Sequence, residues 1–478
     1  MKNLVNRNNG YQNTNYFLSF LILVCALMLF CSACNIKQNP IATIEVSGEY
    51  YDWTKTKEPE YPWNHDYSKT LVSKILLCTR DGGGNVDNVF LTFEQALETI
   101  RKLDNITLGI PKVIYLVGWQ YNGHDSKYPA WDEVNNHLKR EEDTTALESL
   151  QWLIKAAKDY NTTISFHINM IDAFKDSPLW SEYLKKDIIA KDSQGVPIKG
   201  EGFNGMQSYQ ISYAREWNLG YAQKRIDRLI EMIPELKEIG TIHIDAYHSM
   251  RPNGVGEPIS PYLGITMDEE ISAQRKIYRY WRSKGIDVTN EAGMYWLRKD
   301  PFLGLQGLSW HHTESNYIKE NWLHKPENFH SLPLALSGYT PMQCEEEIRK
   351  DSENLSGLLE QVCLNLVPWY YKRNPDVSKY SNVIITDGMV ICPVLWEKTT
   401  LIAYSREKDI TDMKFRLPST WGDVTEVQMF ELTVEGLNPL SVIKTTNMDG
   451  DGRAFYKMIH INIKKGNPVV FKPMFSTI

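Results

Sequence analysis

The stretch Thr241-Ile-His-Ile-Asp245 decides how this sequence folds. It is a short run of β-branched and apolar residues that ends on a carboxylate. The residues before it place Ile226, Leu229, Ile230 and Ile233 on one helical face, and Gly240 stands where a helix needs a left-handed terminating residue. A helix that turns on glycine into a strand is the repeating unit of a parallel α/β sheet.

The same unit recurs on both sides. Upstream, Ile75-Leu-Leu-Cys-Thr79, Lys112-Val-Ile-Tyr-Leu-Val-Gly-Trp119 and Thr163-Ile-Ser-Phe-His-Ile-Asn169 read as strands. Between them, Thr92 with Gln95 and Thr145 with Glu148 have capping-box spacing, each opening an amphipathic helix. Downstream, a helix carrying Ile271, Ile277 and Trp281 ends near Gly285 and leads into Ile286-Asp-Val-Thr-Asn-Glu291. Weaker strands are expected at Gly307–His311 and Leu332–Leu336, followed by an apolar segment at Leu364–Tyr371. Repeats of this kind over residues 71–378, with no glycine-rich phosphate-binding fingerprint after the first strands, predict a (β/α)8 TIM barrel.

From residue 379 to 478 the helices stop. Short strands at Met389–Leu395, Thr400–Tyr404, Val424–Phe430, Val442–Thr445, Lys457–Ile463 and Pro468–Phe471 predict a small all-β, sandwich-like domain. At the other end, Lys2 and Arg7 precede the apolar run Phe17–Phe30 and then Cys31-Ser-Ala-Cys34, which resembles a bacterial lipobox cleaved before Cys34. Residues 1–33 are therefore expected to be a signal peptide, Cys34 a lipidation site and residues 34–70 a tether and cap. The protein is expected in the periplasm or at the cell surface, anchored to the outer membrane. A net charge of −7 argues against nucleic acid as a partner. The cysteines beyond Cys34 (Cys78, Cys344, Cys363 and Cys392) are scattered without metal-ligand spacing, so buried thiols are expected and no metal or cofactor is implied.

In a barrel enzyme the polar residues at the C-terminal strand ends face the site, whereas strand middles are expected to be apolar. Here the strands end in His167-Ile-Asn169, His243-Ile-Asp245 and Asn290-Glu291. Alternation puts each histidine on the same side of its strand as the terminal polar group. Asp245 and Glu291 end neighbouring strands. That arrangement can bring two carboxyls to the roughly 5–5.5 Å at which a nucleophile and an acid/base work on a glycosidic bond. Glu314, in Trp310-His-His-Thr-Glu314, is the competing acid.

The segment Val117-Gly-Trp-Gln-Tyr-Asn-Gly-His-Asp-Ser126, followed by Tyr128-Pro129, resembles the second-strand motif of glycoside hydrolase family 101, the endo-α-N-acetylgalactosaminidases. It is also similar to the related family 129 of α-N-acetylgalactosaminidases. The resemblance runs over about residues 72–320. It implies Asp245 as nucleophile, Glu291 as general acid/base and Asp125 as a contact to the sugar. It further implies His124, Trp119, His167, Asn169, Gln207, Tyr209 and His243 as pocket residues. In an α-linked N-acetylgalactosamine the acetamido group lies on the same side as the leaving oxygen and cannot attack from behind, so a protein carboxylate must. The implied substrate is a mucin-type O-glycan. Family 101 chains are usually longer, with extra β domains. An exo-acting enzyme on another α-linked sugar, or a non-catalytic glycan-binding lipoprotein on a degenerate barrel, are the alternatives.

Overall fold

The computed structural model describes residues 61–475, apart from residues 68, 248–257, 292–308, 311–343, 374–381, 398 and 451–453. All of them belong to one compact unit, Ser47–Ile478. The expected signal peptide, Cys34, Glu314 and the strand at Leu332–Leu336 lie outside the described residues. Among those described, no helix is long and apolar enough to cross a membrane.

The centre is a parallel sheet of six strands: β1 Leu71–Leu76, β2 Lys112–Val117, β3 Thr162–Asn169, β4 Thr241–Asp245, β5 Asp287–Glu291 and β6 Ser309–Trp310. Each strand pairs with its predecessor in sequence, so every connection steps one place in the same direction. Helices α1 Phe93–Ile106, α2 Ala146–Ala156, α3 Tyr221–Met232 and α4 Met267–Ser283 fill the crossovers. The capping boxes at Thr92 and Thr145 form as expected, and a third forms at Thr266 with Glu269. Gly240 takes the left-handed conformation, with φ of 67°. The fold is thus mixed α/β around a parallel sheet; the pairing that would close the sheet into a barrel is not among the described residues.

One expectation is corrected, and one segment left unassigned takes a defined form. The first strand begins at Leu71 and stops at Leu76; Cys78–Arg80 then turns back to pair antiparallel with Val86–Val89. Leu364–Tyr371 is helical, part of a run over residues 356–373 that includes a π-type turn.

The inward faces of the strands are not apolar either. Register pairs His167 with His243 and His243 with Thr289; two residues earlier along the strands, Thr241 pairs with Asp287. The rings of Tyr115 and His167 lie 5.0 and 5.5 Å from that of His243, and all three side chains are buried. Ile164, Phe166, Ile168, Ile242, Ile244 and Val288, on the other face, supply the apolar packing. The inward polar groups persist because they are hydrogen-bonded. Tyr115 and Tyr67 both place their hydroxyls on Thr241 Oγ1, at 2.7 and 3.0 Å. Asp287, wholly buried, accepts from Asn64 N at 2.9 Å, His65 N at 3.1 Å and Tyr67 OH at 3.0 Å, and is ion-paired with Arg282. Residues 61–67 are thereby pinned across the N-terminal end of the sheet.

Residues 384–474 form two antiparallel sheets, a six-stranded one containing Met389–Pro393, Leu401–Ser405 and Val469–Met474, and a three-stranded one containing Ala454–Ile463. A shared core of Ile391, Leu401, Phe415, Trp421, Val427, Ile459, Ile461 and Phe471 lies between them. Strands Ile410–Arg416 and Thr446–Gly450, too polar to show an apolar pattern, were not expected from the sequence. The β part contacts α1, where Asn105 Nδ2 donates to Val434 O at 2.8 Å and Arg101 pairs with Glu435. Cys78, Cys344, Cys363 and Cys392 are free and buried.

Candidate active site

Parallel register brings the site together. Asn169 and Asp245 are paired residues at the ends of β3 and β4, and Asn169 Nδ2 donates to Asp245 Oδ2 at 3.4 Å. One tier below, His167 Nε2 lies 3.8 Å from Asp245 Oδ1. His243 sits in the same tier as His167, with its Nδ1 2.8 Å from Thr289 Oγ1. Asn169 and His167 are therefore both neighbours of the Asp245 carboxyl. The paired register with β5 runs as far as Ile244 and Asn290, and Asp245 and Glu291 are the next residue on each strand. The Glu291 side chain lies outside the described residues.

The loop after β2 carries His124 and Asp125 to the same place. It does so by lying on the backbone of Cys78 and Thr79: His124 N donates to Cys78 O at 2.9 Å. Two glycines make that approach possible. A Cβ at Gly118 would lie 2.1 Å from Cys78 O, and one at Gly123 2.8 Å from the same oxygen; both have positive φ. Asp125 itself is left-handed, with φ of 53°, a conformation that aspartate tolerates better than most residues. The donor atoms of His124, Asp125 and Asp245 lie within 4.8 Å of one another.

Three supports were not evident from the sequence. Arg80, buried, donates from Nε to Asp125 O at 2.7 Å and from Nη1 to Phe203 O at 3.3 Å, with its guanidinium 4.6 Å above the Phe174 ring. Tyr128 is wholly buried and accepts from Gln120 Nε2 at 3.0 Å. Burial, then the charges of Asp125 and Asp245, push its phenol well above the usual range. Asp172 keeps an edge in solvent, yet desolvation of its carboxyl, helped by the charge of Asp125, raises it to about 7 against hydrogen bonds from Ser208 and Asn169. Neither Arg80 nor Asp172 belongs to a local motif, and Tyr128, which closes the motif after Ser126, carries no sign there of its buried role.

Other expected pocket residues stand apart from this group. Trp119 is fully buried: its indole donates to His167 O at 3.1 Å and packs 4.7 Å from Phe166, so it props His167 and has no face open to a ligand. Tyr209 is buried against Trp180, at 4.9 Å, in a cluster with Tyr183 and Ile211. Gln207 is exposed and spends its amide on Gly200 O and Ser208 O of its own hairpin.

Residues 84–294 match the family model described as endo-alpha-N-acetylgalactosaminidase of glycoside hydrolase family 101. The chain carries a glycoside hydrolase 101-like domain. The matched segment holds every site residue described above except Arg80. Among solved structures, alpha-N-acetylgalactosaminidase NagBb from Bifidobacterium bifidum in complex with Gal-NHAc-DNJ aligns at 13% identity with a TM-score of 0.41, over 57% of this chain and 41% of that one. An alpha-amylase from Geobacillus thermoleovorans, complexed with acarbose, aligns at 11% identity with a TM-score of 0.42, over 87% and 100%. The GH36 alpha-galactosidase AgaA from Geobacillus stearothermophilus aligns at 12% identity with a TM-score of 0.38, over 88% and 56%. The chain thus spans about two fifths of the NagBb chain it aligns with.

Proposed function

We propose that the protein is a retaining glycoside hydrolase that releases α-linked N-acetylgalactosamine, or a glycan built on it, from mucin-type O-glycans. Asp245 is the nucleophile and Glu291 the general acid/base, on a (β/α)8 barrel spanning residues 71–378 with a β domain at 379–478. The observation that carries this reading is the grouping of Asp245, Asn169, His124 and Asp125 at the C-terminal ends of adjacent parallel strands.

Adjacent strands lie about 4.8 Å apart. A carboxyl at the Glu291 position is then in range of the roughly 5–5.5 Å separation of a double displacement. Asp245 attacks the anomeric carbon while Glu291 protonates the leaving oxygen; Glu291 then draws a proton from water, which releases the sugar with its α configuration retained. Asp125 and His124 accept and donate hydrogen bonds to sugar hydroxyls. Residues 1–33 are removed on export and Cys34 carries the lipid.

The test uses p-nitrophenyl α-N-acetylgalactosaminide and an O-glycopeptide, with products followed by mass spectrometry and proton NMR. Release of the α-anomer, abolished in Asp245→Asn and Glu291→Gln, is expected, as is activity in the membrane fraction that Cys34→Ser makes soluble. Release of the β-anomer, or unchanged turnover in either carboxylate variant, would refute the mechanism. Saturable glycan affinity without any release would make the protein a glycan binder.

A further inference from the structure

Asn169 is the pivot of the site. Its Oδ1 accepts from the backbone N–H groups of Ile171, at 2.7 Å, and Asp172, at 2.9 Å, which fixes the amide with its nitrogen facing the other way. That nitrogen donates in two directions, to Asp172 Oδ2 at 2.9 Å and to Asp245 Oδ2 at 3.4 Å. We propose that Asp172 is a positioning residue: its carboxyl holds the Asn169 amide so that the second amide proton stays on Asp245 Oδ2 and fixes the plane of that carboxylate. The proposal rests on the reading of Asp245 as nucleophile.

The geometry around Asp172 suits a fixed anchor. Its backbone pairs antiparallel with Gln210, and Ser208 hydrogen-bonds to its carboxyl. The hairpin closes on that carboxyl at Gly200, where a Cβ would lie 3.0 Å from Asp172 Oδ1. Ser208 Oγ in turn accepts from Gly202 N at 3.0 Å. Asp172 therefore ties the segment 200–210 to the nucleophile through one amide group. Without it, Asn169 keeps its backbone-facing bonds but loses the partner that sets the tilt of its nitrogen.

The experiment compares Asp172→Ala and Asp172→Asn in the full chain, using the p-nitrophenyl substrate and crystal structures of both variants. Asparagine can still accept from the Asn169 nitrogen and alanine cannot. In Asp172→Ala, kcat is expected to fall on the order of 100-fold, as for a small misplacement of a reacting group. KM should stay within about 3-fold, since ground-state binding is untouched. Asp172→Asn should retain most of the turnover. In the crystal, Asn169 should leave Asp245 in the alanine variant and stay in the asparagine variant. If Asp172→Ala does not fold, Asp172→Ser, too short to reach the amide, replaces it. Equal losses in both variants, or a loss confined to KM, would overturn the proposal. So would an Asn169 amide still on Asp245 in Asp172→Ala. Absence of any hydrolysis by the wild type would refute the proposed function, while the crystal structures alone would still decide the positioning role.

Discussion

Replacing Arg282 by methionine should loosen the N-terminal end of the sheet, and the size of the effect follows from what Arg282 touches. Its guanidinium pairs with Asp287 where both side chains are essentially without solvent contact. It also donates to the carbonyls of Tyr61 and Pro62 and lies 3.9 Å above the Trp63 ring. Removing one partner of a buried pair strands the other charge, at about 3–5 kcal/mol. Asp287 keeps Asn64 N, His65 N and Tyr67 OH as donors, and methionine keeps contact with Trp63, so the lower end of that range applies. At about 2 °C per kcal/mol for a large domain, Arg282→Met should melt about 6 °C below the wild type. Arg282→Lys should fall between the two, because a point charge cannot serve the carboxylate and two carbonyls together. The assay is thermal unfolding followed by circular dichroism, with Lys69→Met as comparison. Lys69 pairs with Asp66 in solvent, where such a pair contributes under about 1 kcal/mol. An Arg282→Met melt within 1 °C of the wild type, or no further from it than Lys69→Met, would show that residues 61–67, the plug at this end of the sheet, are not held by this pair.

Gly118→Ala puts a Cβ against Cys78 O at a φ of +77°, and should cost more than the roughly 1–2 kcal/mol of the left-handed conformation alone. Gly285→Ala, at a similar φ with open space around it, should cost only that conformational part, so equal melting of the two variants would remove the close approach as the reason for the glycine. Glu270 is buried and accepts from Ser212 Oγ at 2.6 Å and Ala214 N at 2.8 Å; burial raises its carboxyl to about 7. The folded state therefore binds this proton more tightly than the unfolded one, so the contribution of Glu270 to stability is full below about pH 4 and is lost as pH rises through 7. Urea unfolding at pH 4.5 and 8 should show this fall reduced in Glu270→Gln by on the order of 3 kcal/mol, and an unchanged difference would refute the assignment.

What the sequence made legible was local or periodic. The capping boxes at Thr92 and Thr145 are four-residue patterns, and both formed where expected. The C-terminal ends of β3, β4 and β5 were readable because each apolar run stops on a polar group. The limits of β1 were not, since Ser73-Lys74 interrupts the apolar pattern near its start and Leu76-Leu-Cys78 carries nothing to mark the turn after Leu76. The polar interior of the sheet escaped notice for a different reason. Period-two alternation puts His243 on the side of Asp245, but that it stacks in one tier with His167 and Thr289 follows only from the register between strands. Arg80 and Asp172 were silent because their partners are far away in sequence: Arg80 acts on residues 125 and 203, and Asp172 on a hairpin nearly forty residues downstream.

The plug at the N-terminal end of the sheet also bears on the order in which the chain can assemble. Tyr67 and its partner Asp287 are separated by 220 residues. Until that distant stretch is in place, β1 to β3 can pair, but the buried donors of Asn64, His65 and Tyr67 have no acceptor, and the N-terminal end of the sheet stays open to water. Closing that end is therefore a late, long-range event, and a chain stalled before β5 is a species that chaperones or proteases can distinguish from the finished protein.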